Sequence, residues 1–148
     1  MSADLSGSER LEIESACLRL VYEHLRALDQ NDWEAVANCF ADQGVLARPM
    51  QPDQLIEGRD AIRTAMHSRP KGLMTRHIAS NVMINIDSRD RATGVTALVM
   101  IGCTPGEGGK PPLESAGPLY FGEFRDRFIR ENGQWKFLER RGSIAIKY

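Results

Sequence analysis

A chain of 148 residues fits one domain and can bury a real core. Its apolar share is 42%, its charged share 26%, and 19 basic against 20 acidic residues leave a formal charge of -1. Nucleic-acid and membrane-surface binders carry a clear basic excess, so neither partner is expected. No apolar run approaches the roughly 20 residues of a membrane helix, and the polar opening, Met1–Arg10, has no apolar secretory core, so a cytoplasmic location is expected. Cys17, Cys39 and Cys103 are odd in number and far apart, without a Cys-x-x-Cys pair, and are expected to be small buried apolar residues.

Residues 1–8 read as a disordered tip and residues 9–148 as a single domain. From Ser8, the stretch Glu9–Asp29 reads as one long helix, with Leu11, Leu18, Val21, Leu25 and Leu28 at helical spacing and no Gly or Pro. Asp32 is placed to cap a second, shorter helix whose stripe is Trp33, Val36, Ala37 and Phe40, ending at Gln43-Gly44. Val45–Arg48 predicts a short strand closed by Pro49, and residues 49–57 a loop. Gly58-Arg59-Asp60 opens a third helix to about Ser68, stopped by Pro70 and Gly72. Long strands then follow over Leu73–Asp87, Ala92–Cys103, Gly117–Arg130 and Gln134–Lys147. Turns fall at Ser88-Arg89-Asp90 and at Glu131-Asn132-Gly133, the latter with the Asn-Gly signature of a tight hairpin. Thr104–Ala116, rich in Pro and Gly, predicts a long loop, either a pocket lid or an oligomer contact. Helices followed by a run of antiparallel strands mean an α+β fold. A strongly curved mixed or antiparallel sheet over three N-terminal helices would enclose a cone that side chains alone fill poorly, leaving a pocket.

Two residues stand out as candidates for chemistry. On a helical wheel Asp29 lies within ~40° of Leu11, Leu18, Tyr22 and Leu25, on the apolar face. A carboxylate there is costly unless paired, and the other role open to it is capping the helix that starts near Asp32-Trp33. His77 sits on a central strand, where alternation groups it with Thr75, Ala79 and Asn81 and sets Ile78, Val82, Ile84 and Ile86 on the opposite face; a β-bulge would shift that parity. A structural histidine and a catalytic one are both open readings. Together they make sense as an acid that holds an imidazole for proton transfer near neutral pH, suited to proton abstraction beside a carbonyl, then isomerisation or loss of water. Tyr22, on the Asp29 face, Arg48, Asn81 and Tyr120 are the candidate substrate contacts. His24 falls on another helix face, near Ile13 and Leu20, where packing or an interface is expected. Arg76, Arg125, Arg127, Arg140 and Arg141 are expected to bridge outward to carboxylates, an anion site being the sharper alternative. The spacing offers no metal-ligand set and no phosphate loop, so neither a metal nor a phosphate-loop ligand is expected.

Four segments in order carry a family resemblance: Ala27-Leu28-Asp29-Gln30-Asn31-Asp32-Trp33-Glu34 with Phe40-Ala41-Asp42; Gly58-Arg59-Asp60-Ala61-Ile62; Arg76-His77-Ile78-Ala79-Ser80-Asn81; and Gly133-Gln134-Trp135-Lys136-Phe137 with Arg140. Over roughly Glu9 to Ile146 the chain resembles SnoaL-like members of the nuclear transport factor 2-like superfamily, and within it the scytalone dehydratases. The resemblance implies a cofactor-independent lyase or isomerase with His77 as base and Asp29 as its support. It also implies a small hydrophobic, aromatic or polyketide-like ligand and a homodimer or homotrimer. Leu28 stands where the dehydratases have a tyrosine, Ala47 and Arg48 lie nearest their second tyrosine, and Arg91–Cys103 supplies no second histidine. Gly122 and Phe124 fall near their late-strand serine and asparagine. The pair is thus expected without the dehydratases' substrate-orienting groups. The alternative is a non-catalytic ligand-binding or subunit-interaction domain, as in the small subunits of ring-hydroxylating dioxygenases.

Overall fold

The computed structural model of the protein describes residues 4–148. Residues 1–3 of the expected tip lie outside the described residues, and Gly7 and Ser8 are already helical. The elements run α1 (Gly7–Asp29), α2 (Trp33–Asn38), β1 (Phe40–Arg48), β2 (Gln51–Glu57), α3 (Arg59–His67), β3 (Met74–Ile86), β4 (Arg91–Cys103), β5 (Leu119–Glu131) and β6 (Gln134–Lys147). The strands form one open sheet in the order β2-β1-β6-β5-β4-β3, antiparallel except for the parallel pair β1–β6. The expected α+β architecture, three helices against a curved mixed sheet, is what forms.

Helix α1 starts two residues earlier than expected, at Gly7 instead of Glu9. Ser6 Oγ accepts from the Glu9 N–H and Glu9 accepts from the Ser6 N–H, so two orphan donors are satisfied reciprocally. Its buried face is Ile13, Cys17, Leu20, Val21, His24, Leu25, Ala27 and Leu28. That face is rotated from the expected stripe: Leu11 is 68% exposed and Tyr22 48%. Helix α2 is shorter than expected. Its last carbonyls are taken by β6, Asn38 O accepting from Lys136 Nζ and Cys39 O from the Phe137 N–H, so Phe40 opens a strand instead of continuing the helix.

The expected loop at 49–57 is instead strand β2, hairpinned onto β1. It carries almost no burial signal because it is the sheet edge, where Pro52 costs no ladder bond. The Asn132-Gly133 turn forms as expected, with φ of 50° and 76°.

Curvature comes from breaks in register. At the one between Phe121 and Gly122, a Cβ on Gly122 would sit 2.1 Å from Ser143 O, so only glycine lets β5 and β6 approach there. A second break, between Ser80 and Met83, contains Asn81 at φ 49°. This bulge inverts the strand's facing halfway along. Thr75, His77 and Ala79 point inward before it, Ile84 and Ile86 pack on the core after it, and Asn81 and Met83 turn out to solvent. The expected opposition of His77 to Ile84 and Ile86 is thereby corrected. Between helices and sheet lie Phe40, Phe128, Phe137, Ile62 and Leu98, all buried; each contributes roughly 1.5–3 kcal/mol over exposure. On the outer sheet face, Ile78, Val99, Phe121 and Ile146 stand in one cross-strand row, with Ile78 and Ile146 largely exposed.

Candidate functional site

Asp29 is the last residue of α1, and β3 crosses beside it. The strand offers two inward side chains in alternation, Thr75 and His77, and both reach the carboxylate. Thr75 Oγ1 donates to Asp29 Oδ1 at 3.0 Å, the His77 backbone N–H donates to Oδ2 at 3.0 Å, and His77 Nδ1 lies 2.5 Å from Oδ1. An acceptor so placed assigns the imidazole proton to Nδ1 and leaves Nε2 as the free lone pair. Burial alone would raise the Asp29 pKa, but the side-chain and backbone hydrogen bonds from His77, its charge, and the Thr75 bond outweigh it, so the carboxyl is held below its ordinary value and is ionised at neutral pH. The capping role is taken by Asp32, whose carboxylate accepts from the Ala35 N–H at 3.0 Å.

His77 lines a cavity of about 430 Å³ between sheet and helices, and with Asp29 it also borders a groove on the other side. That volume suits a small ring molecule. Its deep walls are the buried Leu28, Leu46, Met66 and Phe124 with Met100 beside them, and its open end is framed by the exposed Met50, Gln51, Ser68 and Pro70. Arg48 and Tyr120 line it. Tyr22 and Asn81 do not. Tyr22 lines a shallow groove on the outer side of Asp29, and Asn81 is turned out by the bulge. Of the 104–116 loop no residue lines the cavity; only Pro118, just beyond it, does so. The loop's return is tied by Cys103 Sγ to Glu114 O and by Ser115 Oγ to Gly102 O.

Two titratable residues of the cavity, His24 and Arg69, carried no site reading from sequence. His24 lines the floor, is 2% exposed, and finds no hydrogen-bond partner for either ring nitrogen among the described residues. Its ring meets Phe40, Phe124 and Phe137 edge-on, with centroids 5.6, 6.4 and 5.5 Å away. Burial first, then the positive charge of Arg140, of His77 when it is protonated, and of Arg69, keeps its pKa well below the ordinary histidine value, so it is a neutral imidazole. The signal was available, since Ile13, Cys17, Leu20, His24 and Leu28 recur at three- and four-residue steps. The other is Arg69, just after α3, stacked 5.1 Å over the Trp33 ring.

Behind the floor lies a second acid–base pair. Arg140, expected to bridge outward, is fully buried between Phe124 and Phe137, at 3.9 and 4.4 Å from their ring centroids, and 3.6 Å from Asp126. Arg125, Arg127 and Arg141 do bridge outward, to Glu123 and Glu139. Cys17 and Cys39 are buried, and burial raises their thiols to about 12 and about 11; Cys103 is only half-buried. Among the described residues no three His, Cys, Asp or Glu side chains gather as a metal site, and no helix is long and apolar enough to cross a membrane.

Solved structures with the same fold span nearly the whole chain. A candidate scytalone dehydratase from Novosphingobium aromaticivorans DSM 12444 superposes with a TM-score of 0.82 at 22% identity, covering 97% of this chain and 91% of its own. A type 2 hexachlorocyclohexane dehydrochlorinase gives 0.80 at 18% identity, over 97% and 92%. A Mycobacterium tuberculosis protein of unknown function gives 0.72 at 25% identity, over 91% and 77%. No curated protein matches the sequence. The SnoaL-like domain model matches residues 9–141, and the chain belongs to that family, with its nuclear transport factor 2-like fold.

Proposed function

We propose that the protein is a cofactor-independent lyase or isomerase acting on a small, largely apolar molecule. The observation that carries this is the Asp29–His77 contact of 2.5 Å at the cavity wall, with Nε2 unpartnered among the described residues. In this reading Nε2 takes a proton from a carbon beside a carbonyl, and the electron pair moves onto the carbonyl oxygen as an enolate. The imidazolium, stabilised by ionised Asp29, then returns the proton to a different carbon, or gives it to a leaving hydroxyl that departs as water. The apolar walls exclude water and strengthen each charge interaction. Two neighbours by fold bear the names of elimination enzymes, a dehydratase and a dehydrochlorinase, which agrees with this chemistry by analogy of fold.

The test is deuterium exchange and turnover of neutral cyclic β-hydroxyketones, followed by NMR, for the wild type and His77→Ala. Exchange in the wild type alone is expected; equal behaviour of the two proteins removes His77 from the reaction. Self-association belongs to the same reading: the apolar row Ile78–Val99–Phe121–Ile146 would be covered by a second copy. Ile146→Glu should then shift sedimentation toward the monomer, and a monomeric wild type ends that part of the proposal.

A further inference from the structure

The cavity carries two arginines that are in no ion pair among the described residues. Arg48 ends β1 and Arg69 follows α3, and both line the open end, next to the exposed Gln51 and Pro70. Among the described residues neither guanidinium has a carboxylate within salt-bridge distance. Arg48 donates only to the Gln51 side-chain amide oxygen, while Arg69 makes no side-chain hydrogen bond and rests over Trp33. By contrast Arg59 and Arg63, on α3, are paired with Asp42, Glu34 and Asp60. No Asp or Glu lines the cavity, and Asp29, behind His77, has its oxygens taken by His77 and Thr75. Burial and the nearby charge of Arg48 lower the Arg69 pKa against a weaker pull from Asp29, so the two cations feel one another across the same opening. Two half-buried like charges facing one apolar hollow are unfavourable until an anion sits between them.

We propose that Arg48 and Arg69 form a carboxylate-binding subsite, and that the ligand is an apolar ring-bearing acid whose carboxylate is clamped at the open end while its body fills the cavity toward His77. The binding claim stands on the arginines; the claim that a carbon of this acid reaches His77 rests on the proposed proton-transfer function. Guanidinium forks recognise planar carboxylates through paired N–H donors, which a flexible lysine would not reproduce.

The probes are 4-oxo-4-phenylbutanoate, its neutral methyl ester and phenyl phosphate, titrated calorimetrically into wild type, Arg48→Met, Arg69→Met and His77→Ala. The acid should bind the wild type about tenfold or more tighter than the ester, and this preference should shrink in each arginine variant and weaken with added salt. His77→Ala should keep the preference. Equal binding of acid and ester, or a preference untouched in both arginine variants, overturns the subsite; tighter binding of phenyl phosphate than of the acid overturns its assignment to carboxylates. If Arg69→Met does not fold, Arg48→Met and the salt dependence decide. Deuterium exchange at the ketone-flanking methylene, run in parallel, separates the two claims. Preference without exchange leaves the subsite and removes the proton-transfer role for this class, whereas exchange without preference does the reverse.

Discussion

Two acids in this molecule each face a base, and they are finished in opposite ways. Asp29 has three donors on its two oxygens, keeps 16% of its side chain exposed, and has its pKa lowered. Asp126 and Arg140 are both fully buried, 3.6 Å apart, and neither finds a hydrogen-bond partner among the described residues. Burial pushes Asp126 up to about 6, against the pull of Arg140. The same burial lowers Arg140, which Asp126 partly restores. The dyad is arranged so that one imidazole nitrogen is free and the acid stays charged. In the inner pair the guanidinium rests on two phenylalanine faces in place of hydrogen bonds, and its outward effect is on His24, which Arg140 helps keep neutral. If the comparison is right, damage to the first pair should appear in chemistry and damage to the second in stability.

The largest effect expected is on turnover. His77→Ala should lower it by about 10²–10⁴-fold, the range for a positioned general base. Asp29→Asn, which keeps shape but removes the charge, should follow it downward. Both should leave circular dichroism unchanged. Comparable losses of turnover and of folding would dissolve the distinction between the pairs.

Next in size is the cost of splitting the inner pair. Arg140→Met leaves Asp126 buried without its cation and should destabilise by about 3–5 kcal/mol in urea denaturation. The double change Arg140→Met with Asp126→Leu should recover most of that loss, because both desolvation penalties go together. A single variant as stable as the wild type would mean that the pair contributes nothing.

The inner acid also predicts a pH dependence with a definite sign. Its folded pKa of about 6 lies above the ordinary 3.8. Between those values the folded chain holds a proton that the unfolded chain has lost, so stability falls as pH rises through the window and is flat above it. Asp126→Asn should erase this slope, measured as the wild-type-minus-variant difference between pH 4 and 7, an interval set by those two pKa values. Asp29, with its lowered pKa, acts in the opposite sense, its contribution being lost as pH falls toward acid.

The dyad was legible in the sequence and the inner pair was not, for a physical reason. Asp29 and His77 lie in segments whose periodicity was strong enough to place an acid at a helix end and a histidine on an inward strand face. Arg140 and Asp126 sit at alternating positions of strands crowded with other arginines and acids, where the ordinary expectation of an outward charge fails because Phe124 from the neighbouring strand β5 and Phe137 from its own strand β6 enclose the guanidinium. Asn81 misled because the bulge that turns it outward depends on its positive φ, which alternation does not reveal. Strand β2 was missed because an exposed edge has no burial pattern to read. Tyr22 and His24 were exchanged by one error, a helix face centred on Leu11 and Leu18 in place of Cys17, Leu20 and His24.

The smallest expected change in stability is also the one that decides what the cavity floor does. In His24→Phe a buried ring is replaced by another ring, inside a cage already made of Phe40, Phe124 and Phe137. Both nitrogens of His24 are unpartnered among the described residues, so removing them should change stability by only about 1 kcal/mol or less, in either direction. If the imidazole is packing alone, turnover will follow stability and hardly move. If it bonds a substrate oxygen at the deep end, opposite the arginines, the variant will fold normally, show a raised KM, and regain part of its affinity with a substrate lacking that oxygen. His24→Gln, which restores a donor and an acceptor, separates a lost hydrogen bond from a changed shape, since only the former is rescued by an amide.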